Sequence, residues 1–134
     1  MLRPQTNACR DALSLDGFWR LTPDPEGAGE GLGWARGTPQ RFRIAVPGSW
    51  NEQLAEAGLM NYDGIVWYER DFVAPGWIAG RRQRLYFGAV DFAASVFLDG
   101  EKIGAAALPF LPFEIDVTGR LTPGRRARLV LRVE

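Results

Sequence analysis

The sequence predicts an all-β protein, a β-sandwich of short antiparallel strands with one short helix. Seven or eight short runs of alternating apolar and polar residues are separated by turn-forming residues along the chain. Only one stretch suits a helix, and the regular strand–helix alternation that a parallel sheet needs is absent. A length of 134 residues is enough for one domain with its own core. We therefore expect residues 1–134 to form a single sandwich of jelly-roll type.

The central strand is predicted within residues 61–73. This stretch begins with turn chemistry, because asparagine, aspartate and glycine tolerate the tight backbone of a turn. Beyond the turn, both alternating faces carry large apolar and charged side chains. One face holds Val66, Tyr68, Arg70 and Phe72, and the other holds Trp67, Glu69, Asp71 and Val73. Such a strand belongs in the middle of a sheet, with its charges paired or set at a working surface.

The segments that precede this strand begin with a polar arm over residues 1–12. Residues 13–21 are predicted to form a short strand around an Asp-Gly turn or bulge. Residues 22–40 contain five glycines and three prolines, which is typical of a long surface loop. Loops of this length in a compact domain are often functional or mobile.

A second short strand and the helix follow the loop. Residues 41–46 alternate cleanly between apolar and polar side chains and are predicted to form a strand. Residues 51–58 suit about two helical turns. Ser49 or Asn51 is placed to cap the start of this helix, and Gly58 is placed to end it.

The second half of the chain contains the strongest hairpin signal. Residues 94–98 and 101–103 flank the pair Asp99-Gly100, which favours a type I′ turn between two antiparallel strands. The other predicted elements are a strand over 82–90, an apolar loop over 104–112, a strand over 113–117, a turn over 121–124 and a last strand over 128–133.

Composition excludes several classes of function. Sixteen basic and sixteen acidic residues leave no positive excess for general nucleic-acid binding. No apolar run approaches the roughly 18 residues of a membrane-spanning helix, and the first residues lack the pattern of a secretory signal, so we expect a cytoplasmic protein. Cys9 is the only cysteine and histidine is absent. Intramolecular disulfides, Cys-rich zinc sites and His-based catalysis are therefore excluded, and no metal or cofactor is expected.

The order and spacing of several short motifs resemble the N-terminal sugar-binding domain of glycoside hydrolase family 2, most closely its β-glucuronidase branch. The resemblance covers nearly the whole chain. The motifs are Leu2-Arg3-Pro4, Leu15-Asp16-Gly17-Phe18-Trp19, Val46-Pro47-Gly48-Ser49-Trp50-Asn51, Asn61-Tyr62-Asp63-Gly64-Ile65-Val66-Trp67-Tyr68-Glu69-Arg70, Phe87-Gly88-Ala89-Val90, Val96-Phe97-Leu98-Asp99-Gly100 and Pro112-Phe113-Glu114-Ile115-Asp116-Val117-Thr118.

This resemblance implies a galactose-binding-like jelly roll that precedes an immunoglobulin-like domain and a (β/α)₈ barrel. The two catalytic glutamates of the family lie in the barrel, which alone needs about 250 residues. We therefore expect this chain to be a non-catalytic N-terminal part of a longer β-glycosidase that acts on a carbohydrate, and to be inactive alone. Relatives continue into further sheet strands, so an open sheet edge and homo-oligomer contacts are also expected.

Sugar binding combines stacked aromatic rings with carboxylates and amides that bind hydroxyl groups. Asn61, Tyr62 and Asp63 in the turn before the central strand, and Asp91 after a strand end, are the candidate ligand contacts. Trp34, Trp50, Trp67, Trp77 and Asn51 have suitable chemistry, although Trp19, Trp50 and Trp67 are predicted to be core residues.

The carboxylate pairs of the chain are not expected to be catalytic. Glu69 with Asp71, and Glu114 with Asp116, share strand faces as a glycosidase pair would. Because arginines are abundant, a solvated or ion-paired surface is the preferred interpretation.

Two other functions fit the same fold class. A free-standing carbohydrate-binding module would present its exposed aromatic residues on one platform. A protein-interaction domain would instead present an apolar patch around residues 108–111 without a polar pocket.

Overall fold

The computed structural model describes residues 6–7, 9–107 and 109–134. The motif Leu2-Arg3-Pro4 and Leu108 lie outside the described residues. The elements are β1 (Gly17–Asp24), β2 (Phe42–Val46), α1 (Trp50–Gln53), β3 (Ile65–Val73), β4 (Arg84–Phe87), β5 (Ala94–Leu98), β6 (Glu101–Ala106), β7 (Phe113–Asp116) and β8 (Arg126–Val133). None of the helices in these ranges is long and apolar enough to cross a membrane.

The strands form two antiparallel sheets, which confirms the predicted sandwich class. The larger sheet has the strand order β2-β1-β3-β8-β5-β6, and the smaller sheet pairs β4 with β7. The main core lies between them, because buried Leu21, Val66 and Leu129 of the large sheet belong to the same apolar cluster as Leu85 and Val117.

Strand β3 occupies the interior of the large sheet, as predicted. It pairs with β1 on one side and with β8 on the other. Val66 and Trp67 are both fully buried although they point to opposite faces. Both faces are therefore covered, which explains the bulk on both sides of this strand.

The Asp-Gly hairpin is also confirmed. Asp99 and Gly100 have φ angles of +49° and +86°, the left-handed conformations that a type I′ turn requires. The Asp99 side chain accepts a hydrogen bond from the Arg128 backbone N–H at 2.9 Å. This contact ties the turn to β8.

Several predicted boundaries were wrong because they depend on strand pairing. β1 starts only at Gly17 and extends to Asp24, so residues 22–24 belong to the strand and not to the loop. Pro23 is tolerated there because β2 begins only at Phe42, opposite Leu21, so β2 does not pair with Pro23. The predicted strand over 82–90 shortens to β4, whereas β6 and β8 are longer than predicted.

The predicted helix is shorter than expected. Only Trp50–Gln53 is α-helical, and a wider turn follows at Ala55–Leu59. Ser49 is the cap, since its side chain accepts a hydrogen bond from the Asn51 N–H. The Asn51 side chain instead donates to the carbonyl groups of Leu59, Met60 and Tyr62, which draws the following turn back toward the helix.

The loop after β1 is packed onto the outer face of the large sheet. Trp34 lies edge-on to Trp67 with ring centroids 6.0 Å apart, and Phe97 stacks on the other side of Trp67 at 5.8 Å. A Cβ atom at Gly29 would lie 2.6 Å from both Trp34 and Trp67, so only glycine fits this position. The loop therefore covers a second, smaller core.

Two carboxylates hold this loop in place. Asp24 accepts hydrogen bonds from the backbone N–H groups of Ala28 and Gly29 and from Trp67 Nε1, each at 2.9 Å. Glu69, 1% exposed, accepts from the backbone and hydroxyl of Thr38 at 2.7 Å and from Gln40 Nε2 at 2.8 Å. Arg128 Nε lies 3.2 Å from the Glu69 carboxylate.

Acidification is expected to destabilise the protein through Asp24. Burial by itself raises the pKa of Asp24, but the hydrogen bonds from Trp67, Gly29 and Ala28, with the charge of Arg132, outweigh it and leave the pKa below its ordinary value. A depressed pKa stabilises the fold above the unfolded-state value of about 3.9, and this stability is lost as the pH falls through the folded-state pKa. Urea unfolding between pH 7 and pH 3 measures the loss.

The variant Asp24→Asn provides the matched control for the acid effect. It should be less stable at neutral pH but lose less stability on acidification than the parent protein. Asp71 contributes in the same direction, since hydrogen bonds from Arg128 lower the pKa of its carboxyl group. Equal acid sensitivity of the parent protein and Asp24→Asn would contradict this role of Asp24.

Candidate functional site

The candidate ligand contacts lie at one end of the large sheet. β3 and β5 both run antiparallel to β8, and Val133 lies opposite both Val66 and Ala94. The segments that lead into β3 and β5 therefore meet at the same end, which we call the Val133 end. Asp63 and Asp91 each lie three residues before those paired positions. The fold thus places the loops that carry Asp63 and Asp91 at the same end of the sheet, two strands apart.

Of the four candidate residues, Tyr62 is committed to the fold. Its hydroxyl donates to the Ile65 carbonyl at 2.8 Å, and its half-buried ring packs against the main core. Burial raises the pKa of Tyr62. Its backbone carbonyl accepts hydrogen bonds from Asn51 and from Trp50 Nε1. Only an exposed portion of the ring is left for a ligand.

Asn61, Asp63 and Asp91 are exposed. They present one amide and two carboxylates at the Val133 end, which are groups that bind sugar hydroxyls. Their role in ligand binding stays a prediction, because it rests on position and chemistry.

Two exposed phenylalanines also lie at the Val133 end: Phe92, which was not a predicted site residue, and Phe110, which belongs to the apolar patch predicted around residues 108–111. Phe92 is 66% exposed with φ +70°, and Phe110 is 69% exposed with φ +60°. The Phe110 N–H donates to the Val90 carbonyl at 3.4 Å, which brings the two loops together. Left-handed backbone is uncommon for aromatic residues and costs free energy, so its presence in two adjoining loops points to a functional surface. No local pattern in the sequence signals this conformation.

The carboxylate pairs considered for catalysis are engaged in structural contacts. Glu69 has no capacity to face a sugar, because it is buried under the loop and hydrogen bonded on both oxygens. Asp71 pairs with Arg126 and Arg128, and Glu114 pairs with Arg84 at 3.1 Å. Asp116 accepts a hydrogen bond from the Thr118 N–H at 2.9 Å. The sequence predicted a solvated or ion-paired surface for these residues, and this description fits Asp71, Glu114 and Asp116 but not the buried Glu69.

The tryptophans divide as the sequence suggested. Trp19 and Trp67 are buried, and Trp50 is half-buried against the main core. Trp34 is half-buried over Trp67. Trp77 is 43% exposed, on the segment between β3 and β4. The exposed aromatic residues of the described chain are spread over both ends and do not form the single platform of a free-standing binding module. Within the same ranges, no three His, Cys, Asp or Glu side chains are grouped to hold a metal ion.

Comparison with known proteins agrees with this architecture. The family model for the sugar binding domain of glycosyl hydrolases family 2 matches residues 12–133. The β-glucuronidase of Paenibacillus borealis is 34% identical over 134 residues, covering 99% of this chain and 22% of the relative. The β-glucuronidase of Rattus norvegicus is 33% identical, covering 92% of this chain and 21% of the relative.

A solved structure shares the fold closely. The β-glucuronidase of Ruminococcus gnavus in complex with D-glucuronic acid superposes with a TM-score of 0.92 at 30% identity, covering 99% of this chain and 23% of that chain. This chain therefore spans less than a quarter of the length of the relatives that it matches. With the family model matched over residues 12–133 and the fold shared, the chain belongs to the sugar-binding domain family of the family 2 glycosyl hydrolases.

Proposed function

We propose that this chain is the non-catalytic N-terminal sugar-binding domain of a β-glucuronidase-type glycoside hydrolase. The observation that carries the proposal is the match of nearly the whole chain to β-glucuronidases in both sequence and fold. The structural engagement of Glu69, Asp71, Glu114 and Asp116 supports a non-catalytic role. Hydrolysis is then performed by other parts of the parent enzyme, and the carbohydrate is bound through that enzyme.

The Val133 end is the surface proposed to face the active site. Asn61, Asp63 and Asp91 supply polar groups for the sugar. Phe92 and Phe110 supply an apolar surface on which the catalytic barrel can dock. Such a surface is also what the protein-interaction alternative requires, so both roles converge on one end of the sandwich. The cytoplasmic location and the homo-oligomer contacts stay predictions.

The test is activity of the complete gene product. The full open reading frame is expected to hydrolyse p-nitrophenyl β-D-glucuronide in preference to the β-D-galactoside and β-D-mannoside. Within that enzyme, Asp63→Ala should lower kcat/KM by about tenfold, the loss expected for one hydrogen bond to a charged group. Glu101→Ala is the matched control, since Glu101 is an exposed carboxylate at the opposite end of the sheet.

Three outcomes would contradict the proposal or a part of it. An open reading frame that encodes only these 134 residues would leave no barrel to supply catalysis. A full-length protein that is folded but inactive on all three glycosides would contradict the assignment to this class of enzyme. An equal effect of Asp63→Ala and Glu101→Ala on kcat/KM would show that the Val133 end does not face the active site.

A further inference from the structure

A hollow of about 460 Å³ lies at the end of the sandwich opposite the Val133 end. It is formed by the segment that leads into β4, residues 79–83, and by the turn after β7, residues 118–123. Its volume is in the range of small-molecule sites. We call it the Gln83 hollow.

The two walls of the Gln83 hollow are fixed to each other. The Gln83 N–H donates to Thr118 Oγ1 at 3.0 Å, and the Val117 N–H donates to the Gln83 carbonyl at 2.9 Å. The Gln83 side chain donates to the Ile78 carbonyl at 3.0 Å. The hollow is therefore preorganised by one backbone hydrogen bond together with the side chains of Thr118 and Gln83.

Two adjacent arginines give the hollow a positive charge. Arg81 and Arg82 both line it. Arg81 is held by Asp11, whereas Arg82 is exposed and makes no ion pair in the described part of the chain. Asp116, the other carboxylate close to this charge, accepts a hydrogen bond from the Thr118 N–H and interacts with Arg82 through space without forming an ion pair with it. One guanidinium is thus available to bind a carboxylate in two-point geometry.

The hollow also has an aromatic border. The Trp77 ring centroid lies 5.8 Å from the Arg81 guanidinium carbon, so the exposed indole adjoins the lining residues. A flat indole packs against the apolar face of a pyranose.

We propose that the Gln83 hollow binds a pyranose that carries a carboxylate, with Arg82 on the carboxylate and Trp77 against the ring. The anionic character follows from the arginines, and the choice of a sugar acid rests on the proposed function. This site is separate from the Val133 end, since β3 runs the length of the sheet between them. It would hold a sugar acid away from the position where bond cleavage occurs.

The test is a ¹⁵N–¹H NMR titration of the 134-residue chain with D-glucuronate, D-glucose and acetate in parallel. D-glucuronate is expected to shift amide peaks of residues 79–83 and 118–123 with a Kd of about 1 mM. Arg82→Ala and Trp77→Ala should each weaken that binding about tenfold. Arg41→Ala, which removes another exposed arginine that does not line the hollow, should bind as the parent does.

Three results would overturn the proposal. Acetate that produces the same shifts at the same concentration would show a general anion site without sugar recognition. Glucuronate shifts that survive Arg82→Ala, or that are confined to residues 61–64 and 91, would place binding elsewhere. Absence of any shift in a well-dispersed spectrum would show that the hollow does not bind D-glucuronate. None of these results changes the expected activity of the complete gene product, so the two proposals fail separately.

Discussion

Replacing Glu69 with alanine is expected to lower the free energy of unfolding by about 2–3 kcal/mol, because donors in a buried site lose their charged acceptor. The buried carboxylate accepts hydrogen bonds from Thr38 and Gln40, and it lies 3.2 Å from Arg128 Nε. Its removal leaves the Thr38 N–H and the Gln40 amide without their acceptor, whereas Arg128 keeps its hydrogen bonds to Asp71. Urea unfolding followed by circular dichroism measures the change.

The matched control is Glu114→Ala. Glu114 makes an exposed ion pair with Arg84, and such pairs contribute about 0–1 kcal/mol. A loss for Glu69→Ala that is no larger than the loss for Glu114→Ala would contradict the structural role of Glu69.

Limited trypsin digestion gives a second readout of the Glu69 contacts. The loop contains Arg36, whose carbonyl accepts a hydrogen bond from Arg128 at 3.0 Å. Cleavage after Arg36 should be faster in Glu69→Ala at urea concentrations far below the unfolding midpoint, because the segment is released locally before the core unfolds. Unchanged cleavage would mean that other contacts hold the loop.

The positions of strands could be predicted where neighbouring residues determine them. The predicted strand boundaries were wrong where pairing with a strand distant in sequence determines them. The Asp99-Gly100 turn and the two-faced pattern of β3 can be recognised from neighbouring residues alone. The extension of β1 to Asp24 cannot, since it depends on pairing with Ile65, 41 positions away by the register of β1 and β3. Glycine and proline content indicated a loop after β1, but composition carries no information about the outer face that the loop covers.

The candidate site was predictable in part. Turn chemistry and strand ends located Asn61, Asp63 and Asp91, and the sheet topology brings them to one end. The left-handed backbone at Phe92 and Phe110 has no signature in residue type, because these conformations are imposed by the surrounding fold. The sequence therefore located the polar half of the Val133 end and the segment that contains Phe110, but it gave no signal for Phe92 or for the left-handed backbone at either residue.

Replacing Trp67 with alanine is expected to cost about 3–5 kcal/mol, the range for large aromatic residues in a core. Trp67 is fully buried, stacks on Phe97 and supports Trp34 from the loop. The change also removes the indole N–H that donates to Asp24. Because removal of a tryptophan alters fluorescence, urea unfolding should be followed by circular dichroism.

Two further variants separate the contributions of Trp67. Trp67→Phe retains much of the packing and loses the hydrogen bond to Asp24, so its cost should be smaller than that of Trp67→Ala. Trp77→Ala is the matched control, since an exposed position should change stability by only about 0.5 kcal/mol. If the second core stabilises the fold, Trp67→Ala must lower the free energy of unfolding far more than Trp77→Ala does. Equal costs would mean that the loop rests on the sheet without stabilising it, and that Asp24 and Glu69 alone hold it there.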